Sequence, residues 1–180
     1  MLFLHKIMGL KLKIANKLLS SQLASVSREK KVFNLDTAKS AGILWEIDQQ
    51  ESFELIEKEL TNAGIKTVGL CYFSRKKAVI PEGINGFTRK ETTWSEIPKT
   101  PLAEDFIEQK FDILIDLTGQ RNLPILYLIA LSAASFKIGY AGGSQNNFDL
   151  NIEFQQKPET SQLAEQILYY LKRINKTTLE

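Results

Sequence analysis

Polar side chains suited to ligand binding follow a buried run of branched residues late in the chain. The stretch FDILIDLTGQRN ends its apolar run at Asp116, and four candidate ligand-binding residues come next: Thr118, Gly119, Arg121 and Asn122. Ligands of open α/β sheets bind beyond the carboxyl ends of strands, where such a loop would lie. Arg121 could pair with a phosphate or carboxylate, and Asn122 could cap the following helix. The alternative is a structural turn in which Gly119 supplies the bend and Arg121 is solvated.

A second candidate carboxylate, Asp48, follows an earlier strand pattern. If the two strands are neighbours, Asp48 and Asp116 could perform acid/base work or hold Mg²⁺. The alternative is that both acids bond to helix N-termini or to solvent. Cys71 is the only cysteine and His5 the only histidine, which argues against disulfides, thiol metal sites and Ser-His-Asp chemistry. No P-loop pattern occurs. We therefore predict no catalytic residue, no metal and no cofactor, and we favour a non-enzymatic role.

Alternating strand and helix patterns place these loops at one edge of a sheet. Strand patterns cover 41–47, 66–73, 84–88, 112–117, 136–140 and 148–154, and helical patterns cover 50–63, 102–109, 123–134 and 160–174. Strands separated by helices of this length pair in parallel through right-handed crossovers. We predict an α/β fold, a three-layer Rossmann-like or flavodoxin-like sandwich with a mostly parallel sheet of five or six strands. A basic amphipathic N-terminal helix should precede it.

The first 35 residues differ in charge from the rest of the chain. Residues 1–35 carry seven Lys/Arg and one Glu, a balance of +6, whereas residues 36–180 carry sixteen Lys/Arg and twenty Asp/Glu, a balance of −4. Helical period over 2–23 gathers apolar residues on one face. We predict two parts, a basic arm and linker over 1–35 and an α/β domain over 36–180. The candidate nucleic-acid-binding residues are Lys6, Lys11, Lys13, Lys17, Arg28, Lys30 and Lys31.

The basic arm favours a binding module that contacts a polyanion, because each Lys–phosphate contact releases counterions. Structured RNA, such as ribosomal RNA, is the favoured partner. Three alternatives remain open: an arm that packs on the domain with solvated lysines, one that lies on an anionic membrane surface, and one that binds a protein. No apolar run is long enough to span a bilayer, so we expect a cytoplasmic protein. Trp94 could stack on a base or a sugar, or anchor its long irregular segment to the core.

Part of the chain resembles the N-terminal half of heptosyltransferase-type (GT-B) glycosyltransferases. The matching residues are Asp112, Ile115-Asp116-Leu117, Gly119, Ser132, Ala134 and Ile138-Gly139-Tyr140. The resemblance implies a Rossmann-like half and a small-molecule or nucleotide-binding enzyme. The loop after the first strand, 46–51, departs from that pattern because it has several acids and no glycine. The chain also stops where the second half would begin, so we expect a lone half-fold without transferase activity.

Over residues 36–176 the chain also resembles an uncharacterised bacterial family of small α/β proteins. The shared features are a basic N-terminal helix, the FDILIDL strand, and a Trp and a Pro at the positions of Trp94 and Pro98. This resemblance implies a fold and no chemistry.

Overall fold

The computed structural model describes residues 26–119, 122–140, 142 and 147–174. Its strands are β1 (Ser40–Glu46), β2 (Lys66–Phe73), β3 (Gly86–Thr88), β4 (Ile113–Asp116), β5 (Phe136–Gly139) and β6 (Leu150–Asn151). Its α-helices are α1 (Gln50–Asn62), α2 (Pro101–Glu108), α3 (Leu123–Leu131) and α4 (Thr160–Arg173), with 3₁₀ turns at Ile47–Gln49 and Arg89–Glu91. The predicted α/β class is confirmed, whereas the helix predicted over 2–23 lies outside the described residues.

The six strands form one sheet in the order β3-β2-β1-β4-β5-β6, and every pair is parallel. This is the strand order of a Rossmann fold. The chain first builds outward from β1 to β3 and then crosses back to place β4 on the other side of β1. The pair β1–β4 is therefore the topological switch point, with Leu44 opposite Asp116 in its register.

Alternate strand residues supply the two cores of a three-layer sandwich. On one face, Ile43, Ile115 and Ile138 pack with residues of α1 and α4, including Ile56 and Ile167. On the other face, Leu44 and Leu114 pack with Phe106 of α2 and with Ile125 and Leu128 of α3. Both faces of the sheet are covered, as parallel sheets require. None of the helices in the described part of the chain is long and apolar enough to cross a membrane.

Two predicted elements are shorter by three residues or more in the structure. The helix predicted to reach residue 134 ends at Leu131, because Ser132 is extended (ψ 134°) and its hydroxyl accepts the Ala134 N–H at 3.2 Å. The strand predicted over 148–154 is reduced to β6, which pairs with β5 at only two positions. Just before β6, the ring of Phe148 fills the space that a side chain at Gly139 would occupy.

A lysine is buried within β5. The Lys137 side chain crosses to the last turn of α3, where its Nζ donates to the carbonyl oxygens of Ile129 at 2.5 Å and Ala130 at 3.4 Å. Burial lowers the pKa of Lys137 to about 8. The side chain satisfies carbonyl groups that a helix terminus leaves without intrahelical partners. Lys137 is thus a structural cap, held away from the carboxyl edge of the sheet where the predicted site lies.

Candidate functional site

A cleft of about 490 Å³ opens at the carboxyl edge of the sheet, above the junction of β1 and β4. Residues from the ends of four strands and from the starts of α3 and α4 line it, among them Glu46, Asp48, Thr118, Gly119, Asn122 and Lys157. Open α/β sheets bind ligands at this switch point. We call this space the strand-end cleft. It brings together all the described candidate ligand-binding residues of the sequence analysis except Asp116, which lies beneath its floor.

A hydrogen bond spans the switch point between Glu46 and Asn122. Asn122 Nδ2 donates to Glu46 Oε1 at 2.8 Å, and so joins the end of β1 to the start of α3. Asn122 occupies the N-cap position of α3, yet its side chain makes no capping hydrogen bond. The predicted capping role is therefore wrong, because the Asn122 side chain is turned toward Glu46 and its oxygen accepts no N–H group of α3. The pKa of Glu46 is raised by burial and by the charge of Asp48.

Gln49 fixes one wall of the strand-end cleft. Its Nε2 donates to the Leu117 carbonyl oxygen at 3.1 Å and to Thr160 Oγ1 at 3.3 Å. Its Oε1 accepts the backbone N–H of Glu46 at 2.9 Å. One buried amide thus ties together the end of β1, the end of β4 and the start of α4. These bonds hold the edge of the cleft in a defined shape before any ligand arrives, which reduces the cost of binding.

Asp116 lies beneath the floor of the cleft and is 1% exposed. Its Oδ1 accepts the Thr118 backbone N–H at 3.0 Å and the Thr118 hydroxyl at 2.8 Å. Its Oδ2 is buried and has no hydrogen-bond partner among the described residues. Burial raises the pKa of Asp116 to about 6. Gly119, with φ +60°, supplies the bend of this turn, as the sequence predicts.

The two candidate carboxylates occupy different environments. Strands β1 and β4 are neighbours, as the pairing hypothesis requires. However, Asp48 is exposed in the 3₁₀ turn after β1, whereas Asp116 is buried. The acid whose charge raises the pKa of Asp116 is Glu46. Among the described residues, no group of three or more His, Cys, Asp or Glu side chains could hold a metal ion.

The raised pKa of Asp116 predicts a pH-dependent stability that the variant Asp116→Asn should lack. The folded pKa of about 6 exceeds the ordinary 3.8, so the folded state binds the proton first as the pH falls. Relative to Asp116→Asn, the wild type should gain about 2 kcal/mol of unfolding free energy between about pH 7 and about pH 4.5. Urea denaturation of both proteins at the two pH values measures this gain. Parallel pH profiles would contradict the buried, ionised state of Asp116 at neutral pH.

The candidate nucleic-acid-binding residues are only partly described. Lys6, Lys11, Lys13 and Lys17 lie outside the described residues, as does Arg121. Arg28 is engaged with the domain: its two terminal nitrogens bond both oxygens of Asp149 at 2.7 Å, and Nη1 also donates to the Ala134 carbonyl oxygen at 2.9 Å. Lys30 lies 3.6 Å from Asp149 Oδ1 with its side chain 72% exposed, and Lys31 Nζ lies 5.3 Å from the Phe33 ring centroid.

Several lining residues escaped the sequence analysis. Glu46 had one signal, because it is the penultimate residue of the strand predicted over 41–47 and therefore lies near the carboxyl edge of the sheet. Tyr72 is the penultimate residue of β2, and burial raises its pKa to about 12, so its phenol is neutral. Arg89 begins a 3₁₀ turn and Lys157 lies in an irregular segment far from it in sequence. Only the tertiary fold brings them to one cleft. Cys71 is fully buried, as predicted, and burial raises the pKa of its thiol to about 12.

The family of the chain follows from the residues that a family model matches. The model of a family of unknown function, DUF6913, matches residues 11–174. The chain belongs to DUF6913. No curated protein and no solved structure matches the chain. The DUF6913 match includes part of the basic N-terminal segment together with all six strands and four helices described above. The family model therefore covers both part of the basic N-terminal segment and the α/β domain, and it indicates no activity.

Proposed function

We propose that this DUF6913 protein binds a small polar molecule in the strand-end cleft. The observation that carries the proposal is the position of the cleft, at the switch point of a parallel sheet in Rossmann order. Its volume of about 490 Å³ lies within the usual range for small-molecule sites. The bonds of Gln49 and Asn122 support a preformed site. The cleft is therefore a preformed polar site at the edge of the sheet where proteins of this architecture bind ligands.

The lining residues favour a ligand rich in hydroxyl or amino groups. Glu46 and Asp48 present acceptors for hydroxyl or ammonium hydrogens, and Glu96 lies across the cleft. The 3₁₀ turn after β1 has no glycine, so a phosphate approaching it would meet carboxylates rather than free backbone N–H groups. Lys157 and Arg89 supply the positive charges, and Arg89 is paired with Glu96 at 2.6 Å. A sugar, or a sugar carrying one anionic group, fits this arrangement.

The resemblance of residues 112–140 to the N-terminal half of heptosyltransferase-type glycosyltransferases supports a sugar-bearing ligand. The proposed activity is binding rather than transfer. A small-molecule or nucleotide-dependent enzyme is the alternative, and Glu46 is its candidate general acid, because its carboxyl has a raised pKa beside Asp48. Turnover of a nucleotide sugar by the purified protein, lost in Glu46→Gln, would favour that alternative.

A thermal-shift panel of sugars, sugar phosphates and nucleotide sugars tests the binding proposal. A ligand at about 100 times its dissociation constant stabilises the folded state by about 2.7 kcal/mol. For a domain of this size, that free energy should raise the Tm by about 5–10 °C. Asp48→Asn should leave the unliganded Tm unchanged, because Asp48 is exposed, but should weaken the binding of the active compound about tenfold.

Glu165→Gln is the matched control for this experiment. It removes an exposed carboxylate of α4 that does not line the cleft. It should bind the active compound with wild-type affinity. A panel in which no compound raises the Tm would count against the proposal. So would a compound whose affinity falls equally in both variants, because the effect would then be one of general charge.

A second candidate function is the binding of a polyanion by the basic arm. The observation that favours it is the charge balance of +6 in residues 1–35 against −4 in the rest of the chain. Lys30 and Lys31 extend this charge onto the described surface, where both are exposed. Structured or ribosomal RNA is the favoured partner, and an anionic membrane surface is the competing one. The two functions can coexist, because the arm and the strand-end cleft use different residues.

A further inference from the structure

A small rigid hairpin over residues 92–98 projects from the carboxyl side of the sheet; we call it the Trp94 hairpin. Its ends are joined by an antiparallel bridge between Thr92 and Pro98. The Thr93 N–H donates to the Ile97 carbonyl oxygen at 2.8 Å, and the Thr93 hydroxyl accepts the Ile97 N–H at 3.1 Å. Glu96 takes the left-handed conformation, with φ 64°, which is uncommon for a residue other than glycine. The bridge and the two hydrogen bonds between Thr93 and Ile97 fix the conformation of this turn.

The Trp94 hairpin presents its tryptophan to solvent. Trp94 is 56% exposed, whereas the other tryptophan, Trp45, is 2% exposed and stacks on Phe53 with ring centroids 4.4 Å apart. Ser95 and Pro98 are the buried residues of this hairpin, whereas Trp94 keeps more than half of its surface exposed. An exposed aromatic ring contributes less to the stability of the fold than a buried one, and exposed aromatic residues commonly mark interaction sites.

Basic residues surround this tryptophan. Lys76, Arg89 and Lys90 line a cleft of about 350 Å³ together with Trp94. Residues 74–99 carry six Lys/Arg and three Glu, a balance of +3, whereas the remainder of residues 36–180 carries ten Lys/Arg and seventeen Asp/Glu, a balance of −7. The positive charge of an otherwise acidic domain is therefore concentrated in the segment that contains Trp94, and three of its cations line the cleft beside the ring. Because Arg89 is paired with Glu96, Lys76 and Lys90 are the cations available to a partner.

We infer that the Trp94 hairpin, with Lys76 and Lys90, binds single-stranded nucleic acid. A base stacks on the indole ring, and the flanking phosphates contact the two lysines. Aromatic platforms beside basic side chains are how proteins bind single strands without sequence preference. Charge complementarity favours a polyanion, and the exposed ring favours one that carries bases. The site shares no residue with the N-terminal arm and adjoins the strand-end cleft through Arg89 and Glu96, which line both. It would extend nucleic-acid binding to the α/β domain.

The test uses the full chain and a labelled single-stranded oligouridylate, with binding followed by fluorescence anisotropy over a salt series. Trp94→Ala should weaken binding about tenfold, and Trp94→Phe should retain most of the affinity. The double variant Lys76→Glu, Lys90→Glu should reduce the slope of log affinity against log salt by about 1.4. Tyr169→Ala is the matched aromatic control, because Tyr169 is also exposed and lies 4.0 Å from Arg173. Lys58→Glu with Lys66→Glu is the charge control.

Tryptophan fluorescence separates this site from binding by the arm. Trp45 is buried, so quenching of the exposed Trp94 by the oligonucleotide reports stacking directly. Quenching in the wild type, together with the loss of affinity in Trp94→Ala, is the expected result. Binding without quenching and with full affinity in Trp94→Ala would overturn the inference while leaving the arm proposal intact. No binding of the oligonucleotide at all would also overturn it.

Discussion

Replacement of Asp149 by alanine is expected to lower the free energy of unfolding by about 2–4 kcal/mol. Asp149 accepts two hydrogen bonds from Arg28 at 2.7 Å and one from the Lys137 backbone N–H at 2.9 Å. The side chains of Arg28 and Asp149 are only 14% and 17% exposed. The substitution therefore leaves a largely buried guanidinium without its anion. Burial opposes ionisation of Asp149, but these hydrogen bonds and the Arg28 charge lower its pKa below the ordinary value.

For a chain of this length, that loss corresponds to a fall in Tm of about 5–15 °C, measured by thermal or urea denaturation. Asp149→Asn should cost less, because its amide oxygen can still accept a hydrogen bond. Glu153→Ala is the control, since Glu153 is an exposed acid shortly after β6. A double-mutant cycle with Arg28→Ala should give a coupling of about 1–3 kcal/mol. If Asp149→Ala and Glu153→Ala were equally stable, Arg28 would not attach its segment to the domain.

Removal of residues 1–25 is expected to abolish most of the salt-dependent binding of structured RNA. The removed segment carries Lys6, Lys11, Lys13 and Lys17. If these four lysines contact phosphates, their loss should reduce the slope of log affinity against log salt by about 3–4 for a duplex. The shortened chain should begin at residue 26, because Arg28 bonds Asp149 and the Leu35 N–H donates to the Leu171 carbonyl oxygen. A chain beginning at residue 36 would lose stability as well as charge.

The control for this removal is a full chain in which the four lysines become glutamine, which keeps the length and removes the charge. Both proteins should retain the wild-type Tm and sediment freely in a lysate gradient at low salt, while the wild type sediments with ribosomal particles. Flotation of the wild type with anionic vesicles, but not neutral ones, would favour the membrane surface instead. If the shortened chain binds RNA as the wild type does, the arm is not the contact.

Much of the fold follows from the sequence because local signals and burial agree. Strand β2 has the bounds predicted for it, 66–73, and begins two residues after Gly64, whose φ of +79° ends α1. The end of α3 could not be predicted from a comparable local signal. Its residues are apolar on nearly every side, so periodicity gives no boundary. Gly42 is a similar case: a Cβ atom at this position would lie within 3 Å of the rings of Phe106 and Phe111, a contact that no local sequence pattern reveals.

Less of the candidate site follows from the sequence because its contacts join distant segments. The loop after β4 was located correctly, since ligand sites of parallel sheets lie at strand ends. The hydrogen-bond partners at this edge were not predicted: Asn122 donates to Glu46, and Gln49 donates to Leu117 and Thr160. Each pair is separated by many residues, and their approach depends on the order of strands in the sheet. The salt bridge of Arg28 with Asp149 was unpredictable for the same reason.

Amide chemical-shift mapping of the isotopically labelled protein, with the compound that most raises the Tm, tests binding in the strand-end cleft most directly. We predict that the shifted amides cluster at the switch point, at Glu46, Asp48, Thr118 and Asn122, and that Asp48→Asn weakens these shifts at equal ligand concentration. Shifts confined to other parts of the chain, or shifts unchanged in Asp48→Asn, would contradict the proposal that the switch point of this sheet is its binding site.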